Sequence, residues 1–271
     1  DREEGACTQG GGQAGRSQQE GARRQGRDTQ DRGKTRRQGR AYDAQTRELN
    51  QRQMKTRDRI LHTSLALFND EGEEHTTTID IANEMDISPG NLYYHFKGKD
   101  QIIAELFHQY YTALSDTLTA PIEKPLVSEH GNVEENWYYL YVVMEEMYQY
   151  RFLYHNLDNL LQRYADIRRR FKRLIQLKRA ALYAICQTLL QQSVIDLQEQ
   201  QLLGLVDNMT LNLTFWFSYD QLLHEERGPQ VTIHQGVLQL LTMVAPYLGD
   251  EQLNFYRDCE IIYGSMLEPM D

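Results

Sequence analysis

The chain of 271 residues carries a formal net charge of −10, from 29 Lys plus Arg against 39 Asp plus Glu. That length holds one large or two modest domains with an ample core, and neither an apolar run of about 18 residues, as a membrane span needs, nor an apolar leader is present. The three cysteines, Cys7, Cys186 and Cys259, have no metal-ligand or redox spacing, so a soluble intracellular protein with reduced thiols and a buried Cys186 is expected.

The charge divides unevenly: residues 1–53 total +4 and the remainder −14. The first stretch is rich in Arg, Gln and Gly with almost no large apolar residues, a composition that cannot bury enough surface to offset ordering entropy and is read as disordered. It is either a basic arm that reaches along DNA or an extension outside the native protein, with Met54 as the natural start; the second is the favoured reading.

From residue 56 to about 71, Ile60, Leu61, Ser64, Leu65, Leu67 and Phe68 line one face at helical spacing and Gly72 stops the helix. Arg57 and Arg59, near its start, are placed to touch phosphates or simply to be solvated. Thr77 and Thr78 are N-cap residues for a second helix whose apolar face is Ile79, Ile81, Ala82 and Met85. Asp86 breaks it. Ser88-Pro89 then starts a third, because serine caps free amides and proline has none to leave unpaired at the first helical position.

Two helices joined by about three to four residues form a helix-turn-helix, whose second helix can lie in the DNA major groove. Here that helix carries Gly90, Tyr93, Tyr94 and His95. Glycine lets a backbone approach closely, and the tyrosines and histidine offer polar tips to phosphates or base edges, whereas Leu92 and Phe96 read as core.

At these residues the chain resembles the TetR (tetracycline-repressor-like) family of bacterial transcription regulators. The resemblance is carried by Ile60, Leu61, Leu67, Phe68, Gly72, Thr78, Asp80-Ile81-Ala82, Ile87-Ser88, Gly90-Asn91-Leu92-Tyr93-Tyr94-His95-Phe96 and Lys99. It is gapless across about 55–106. It implies an all-α protein: an N-terminal three-helix helix-turn-helix DNA-binding domain, 54–100, then a helical effector-binding and dimerisation domain, 101–271. It implies DNA contacts by Thr78, Ser88, Gly90, Tyr93, Tyr94, His95 and Lys99, the lysine on a phosphate. Pro89 departs from the pattern, since many relatives have a lysine or other donor there. Residues 54–100 also total −4, so non-specific affinity for DNA should be weak.

Residues 100–119 read as a long helix with Ile102, Ile103, Leu106, Phe107, Tyr110 and Leu114 on its buried side, ended by Pro121 and Pro125. A polar loop reaches 135, and 136–155 is a helix rich in aromatics. Facing a gap between helices, Phe107, Tyr110, Trp137, Tyr141, Met144, Tyr148 and Phe152 would line an effector pocket; they also make ordinary core. A short helix covers 156–164 and a long one 166–192, whose run Arg168-Arg169-Arg170-Phe171-Lys172-Arg173 with Lys178-Arg179 reads as a solvated basic face more than an anion site.

Three more helices cover 196–224, 234–248 and 251–266. The first two are apolar around most of their circumference and so need cover on two sides, which a partner paired through a two-fold four-helix bundle supplies. Leu205, Met209, Leu213, Trp216, Val237, Leu241 and Val244 are the interface candidates.

The eight histidines are scattered, and no zinc-protease pair, phosphate-cradling glycine loop or serine elbow is present. No catalytic residue, metal or cofactor is therefore assigned. The resemblance implies a cytoplasmic bacterial homodimer, nucleoid-associated when bound to a double-stranded DNA operator and released by a small apolar or amphipathic effector, with no membrane partner. The readings set against it are a helical sensor or interaction module without operator binding, and an enzyme using the aromatic cavity.

Overall fold

The structure is a computed structural model that describes residues 55–124, 133–224 and 227–267. The arginine-rich extension with Cys7, the proposed start Met54, Pro125 and the greater part of the polar loop lie outside the described residues. Chain contacts divide the molecule into Asp1–Arg59 and Ile60–Asp271. Of the first unit only the opening turn of a helix is described, where the Asp58 and Arg59 amides both donate to the Lys55 carbonyl at 3.0 Å. Everything below concerns the second.

Among the described residues the elements are α1 Thr56–Glu71, α2 Thr78–Glu84, α3 Pro89–His95, α4 Lys99–Glu123, α5 Val133–Gln149, α6 Phe152–His155, α7 Leu157–Arg163, α8 Ala165–Gln191, α9 Glu199–Leu223, α10 Pro229–Val244 and α11 Asp250–Leu267. The chain is all-α, with a 3₁₀ turn at Ala245–Tyr247 and one isolated bridge between Ile195 and Leu248.

The starts and stops follow from local chemistry. Thr77 caps α2 in a capping box, its hydroxyl accepting from the Asp80 amide at 3.2 Å while its own amide donates to Asp80 Oδ2 at 2.8 Å. The Thr77 hydroxyl, which also donates to Asp80 Oδ2 at 2.7 Å, and then the Thr77 amide hold the Asp80 carboxyl below the usual carboxylate range. Thr78 is therefore the first helical residue, not a second cap. Asp86 takes φ 53°, a left-handed turn that aspartate tolerates, and sends the chain into Ser88, whose hydroxyl accepts from the Asn91 amide at 3.2 Å.

Two predicted boundaries are corrected. Pro121 lies inside α4 and is buried, and the helix runs past it to Glu123, with the Lys124 amide still donating to the Ala120 carbonyl at 3.0 Å. A proline loses its own amide bond and crowds the carbonyl four residues back, but only two helical residues follow Pro121, so little helix is left to kink. The aromatic helix expected over 136–155 is interrupted after Gln149, and Phe152–His155 forms a separate turn.

One apolar cluster runs through the unit, from Ile60, Phe68, Leu92 and Phe96 near the amino end to Val237, Leu240 and Cys259 near the carboxyl end. Each such large side chain contributes about 1.5–3 kcal/mol when buried. The long helix α4 packs most extensively on α8, α8 on α9, and α10 on α5, α9 and α11. Gly236 sets the approach of α10 to α9 and α5: a Cβ there would meet Trp216 Nε1 at 2.6 Å, Trp216 Cδ1 at 2.7 Å and Met144 Cε at 2.9 Å.

Candidate functional site

Leu92 on α3 and Phe96, four residues on at its C-cap, are buried, and this fixes which side of the helix faces out. Tyr94 is 78% exposed and Tyr93 44%, while Ser88, Gly90 and Asn91 are also exposed and His95 is half-buried. The two helices of the motif are tied at their outer edge, where Thr78 Oγ1 lies 3.2 Å from the Tyr93 hydroxyl. Tyr94 stands edge-on to His95 with ring centroids 5.2 Å apart. A Cβ on Gly90 would meet nothing nearer than Ser88 Oγ at 3.9 Å, so nothing within the subunit demands glycine there. Six of the seven expected contacts, Thr78, Ser88, Gly90, Tyr93, Tyr94 and His95, thus border one outward surface.

Lys99, the seventh, is held on the α1–α2 turn. Its ammonium donates to the Glu73 carbonyl at 2.6 Å and the Thr76 carbonyl at 3.2 Å and lies 3.1 Å from Glu73 Oε1. The Glu73 side chain is 1% exposed and also takes Arg163 at 3.2 Å. Asp100 in turn accepts from the Tyr164 hydroxyl at 2.6 Å. Three elements, the α1–α2 turn, the start of α4 and the end of α7, are therefore clasped on one carboxylate. A buried carboxylate attracts the nearest ammonium more strongly than solvent does. Farther along the same edge, Arg151 pairs with Asp70 at 2.7 Å and Asn69 accepts from the Phe152 amide at 3.1 Å. Sequence spacing could not find Glu73, because its partners lie 26 and 90 residues away.

In the helical remainder the expected effector residues separate. Phe107, Tyr110, Met144 and Phe152 are packed in the core and line neither described cavity. Trp137 and Tyr141 turn toward α10, where Trp137 stacks on His234 at 6.3 Å and Tyr141 lies tilted against it at 5.0 Å. Tyr148 alone borders a cavity, a polar one of about 310 Å³ shared with Asn69, Arg151, His155, Asp220 and Arg227. Burial, with Arg151 adding repulsion, pushes the His155 imidazole down to about 4.

The basic run on α8 is solvated as expected at Arg168, Arg169, Lys172, Arg173 and Arg179, but Lys178 is fully buried. Its Nζ lies 3.3 Å from the Tyr154 hydroxyl, which is hydrogen-bonded to the Tyr110 hydroxyl. Desolvation pushes the lysine down to about 7 and both tyrosines up. Cys186 is buried as expected, its thiol pushed up to about 12.

The interface candidates pack together within the single subunit. Leu205, Met209, Leu213, Trp216, Val237, Leu241 and Val244 are all buried inside the subunit, and the Trp216 indole donates to the Thr232 carbonyl at 2.9 Å. The outward stripe of α9 is instead Leu211, Phe215, Tyr219 and Leu222, exposed by 59, 46, 58 and 84%. It borders an open groove of about 740 Å³ between α9 and α10, which only Leu205 and Trp216 of the seven reach.

An outward polar-aromatic α3 on a helix-turn-helix, followed by a helical body, defines a class of DNA-binding regulator. The TetR-family profile described as bacterial regulatory proteins matches residues 60–106, and one described as a bacterial transcriptional repressor matches 109–256. The chain belongs to the TetR family. The chain is similar to the crystal structure of a TetR-family regulator from Marinobacter aquaeolei VT8, at 34% identity and TM-score 0.67 over 78% of this chain and 99% of that one. It is also 37% identical over 75 residues to the transcriptional repressor KstR2 of Mycolicibacterium smegmatis. That match covers 25% of this chain and 37% of the repressor, so the chain spans about a third of that relative's length. The ketosteroid transcriptional regulator KstR2 of Mycobacterium tuberculosis shares the fold at 18% identity and TM-score 0.52, over 72% and 96% of the two chains.

Proposed function

We propose that the protein is a transcriptional repressor that binds a near-palindromic operator as a homodimer and is released from it by a small apolar or amphipathic effector. The observation that carries this reading is the outward face of α3, where Tyr93, Tyr94 and Ser88 surround a glycine with free space over its Cα. Residues 54–100 act as the DNA head and 101–271 as the effector and dimerisation part. Thr78, Ser88, Gly90, Tyr93, Tyr94 and His95 meet the groove, and Lys99 holds the head in place from behind. Leu211, Phe215, Tyr219 and the groove beside them pair with the same surface of a second copy, setting two α3 helices in successive major grooves about 34–36 Å apart. The protein works in the bacterial cytoplasm, on the nucleoid when bound.

Release follows if the effector favours an arrangement with the wrong head spacing, and DNA must then weaken effector binding by the same factor. The test is selection of bound fragments from genomic DNA by the whole chain at two salt concentrations. A recurrent inverted repeat kept at the higher salt is the expected result; salt-erased binding without a shared motif would refute operator recognition. The head's balance of −4 favours, as a second reading, a helical sensor without operator binding, and that second outcome is the one it expects.

A further inference from the structure

Lys178 sits on the inward stripe of α8 with Ile167, Phe171, Leu174, Leu182 and Ile185, every other member of which is apolar. A leucine or methionine would fill the same space without desolvating an amine. The ammonium has the Tyr154 hydroxyl at 3.3 Å, the Tyr154 ring centroid at 5.2 Å and the Phe171 ring centroid at 5.9 Å. Among the described residues no carboxylate pairs with it. Buried charges are ordinarily paired, because removal from water is costly.

The cluster has donors in excess. Lysine brings up to three N–H groups and each tyrosine one O–H, and the acceptors bonded within the cluster are the two tyrosine oxygens. Once Lys178 donates to Tyr154 and one tyrosine donates to the other, N–H groups of the lysine and one phenolic proton are still without an acceptor in the cluster. Three helices meet here: α4 through Tyr110, α6 through Tyr154 and α8 through Lys178. The surroundings are aromatic, with Phe171 and Phe217 each 5.8 Å from the Tyr154 ring and Phe107 at 6.0 Å from Tyr110.

We infer that Lys178, Tyr154 and Tyr110 form the anion-recognising end of the effector site, and that the effector is a monocarboxylate with an apolar body. This rests on the reading of the chain as an effector-responsive regulator. A carboxylate supplies two oxygens to the spare donors and a single negative charge to the single ammonium. A dianionic phosphate would leave one buried charge unmatched, and a neutral alcohol would bring no charge to hold the amine protonated. The aromatic walls accept the apolar body. All three polar groups are fully buried and neither described cavity reaches them. A ligand must therefore part α4 from α8, and α4 begins at Lys99, whose ammonium is held on Glu73.

The experiment measures binding to the full chain, without DNA, by calorimetry and thermal shift. The probes are octanoate, decanoate and 4-phenylbutyrate, each against the alcohol of the same skeleton. At least one carboxylate should raise Tm and bind at least tenfold more tightly than its alcohol. Lys178→Met should abolish that preference while raising the Tm of the free protein at pH 7, and Tyr154→Phe should weaken the carboxylate severalfold with the fold intact. Failure of all three carboxylates to bind at millimolar concentration overturns the inference. So does equal binding by Lys178→Met, or a free Lys178→Met protein less stable than the parent, which would make the ammonium a structural tie. Operator affinity is measured separately with the bound carboxylate: binding without any change in operator affinity would support the site and overturn the effector reading alone.

Discussion

Gly90 and Lys178 break the pattern of their own helices, and in each the local cost points outward from folding. Glycine inside a helix is less stable than alanine by roughly 0.5–1 kcal/mol, and a Cβ at Gly90 has free space. Gly90→Ala should accordingly raise stability in urea unfolding by about that amount and weaken operator binding in a mobility-shift titration. An unchanged operator affinity would remove Gly90 from the interface. Lys178, lowered from 10.5 to about 7 by desolvation, has the opposite pH signature to an ion-paired lysine. Between about 7 and 10.5 the unfolded chain binds the extra proton, so stability rises with pH across that window, by at most about 1.4 kcal/mol per unit. Urea unfolding at pH 7, 8.5 and 10 should show the parent gaining on Lys178→Met as pH climbs. A constant difference would mean the amine is solvated or paired.

At the level of elements, Glu73 is the fastening between the α1–α2 turn and the helices behind it. Its two cations are 22 and 40% exposed while the carboxylate is 1% exposed, so loss of either side is not symmetric. Lys99→Met leaves a buried anion with one partner, whereas Glu73→Gln leaves two cations that can turn to water. Lys99→Met should cost more, on the order of 2–4 kcal/mol against about 1–2 for Glu73→Gln, by chemical denaturation. Equal costs would show that the carboxylate reaches solvent. Gly236→Ala should cost roughly 1–3 kcal/mol by overpacking against Trp216, read in the same assay.

Much of this level was legible beforehand, because periodicity and caps are local: the runs led by Ile60, by Thr77 and by Ser88-Pro89 gave their helices, and Leu92 with Phe96 gave the orientation of α3. What was not legible depends on what lies across a gap. The periodicity of α9 shows apolar residues all round and says nothing of which side meets the core, so it does not reveal that Met209 and Leu213 turn inward while Leu211 and Phe215 face out. Lys178 is hidden in a run of cations, most of which are solvated, because one position on α8 turns inward. The pairing of Lys99 with Glu73 is invisible to local spacing, because the two meet only after folding.

For the molecule as a whole, the proposed pairing through the exposed stripe of α9 is open to a direct test. Leu211→Glu with Phe215→Glu puts two charges on side chains that are 59 and 46% exposed in the single subunit, so the fold should survive. Sedimentation at micromolar concentration should turn from dimer to monomer, and operator affinity should fall at least tenfold. A double variant that still sediments as a dimer would move the interface elsewhere. The stripe also bears on dosage. Where free subunits are the main species, the concentration of pairs varies as the square of the concentration of chains. Halving the protein, as cell division without fresh synthesis does, would then quarter the operator-competent form, and the regulated promoter would respond to protein supply with a threshold that a single-chain regulator lacks.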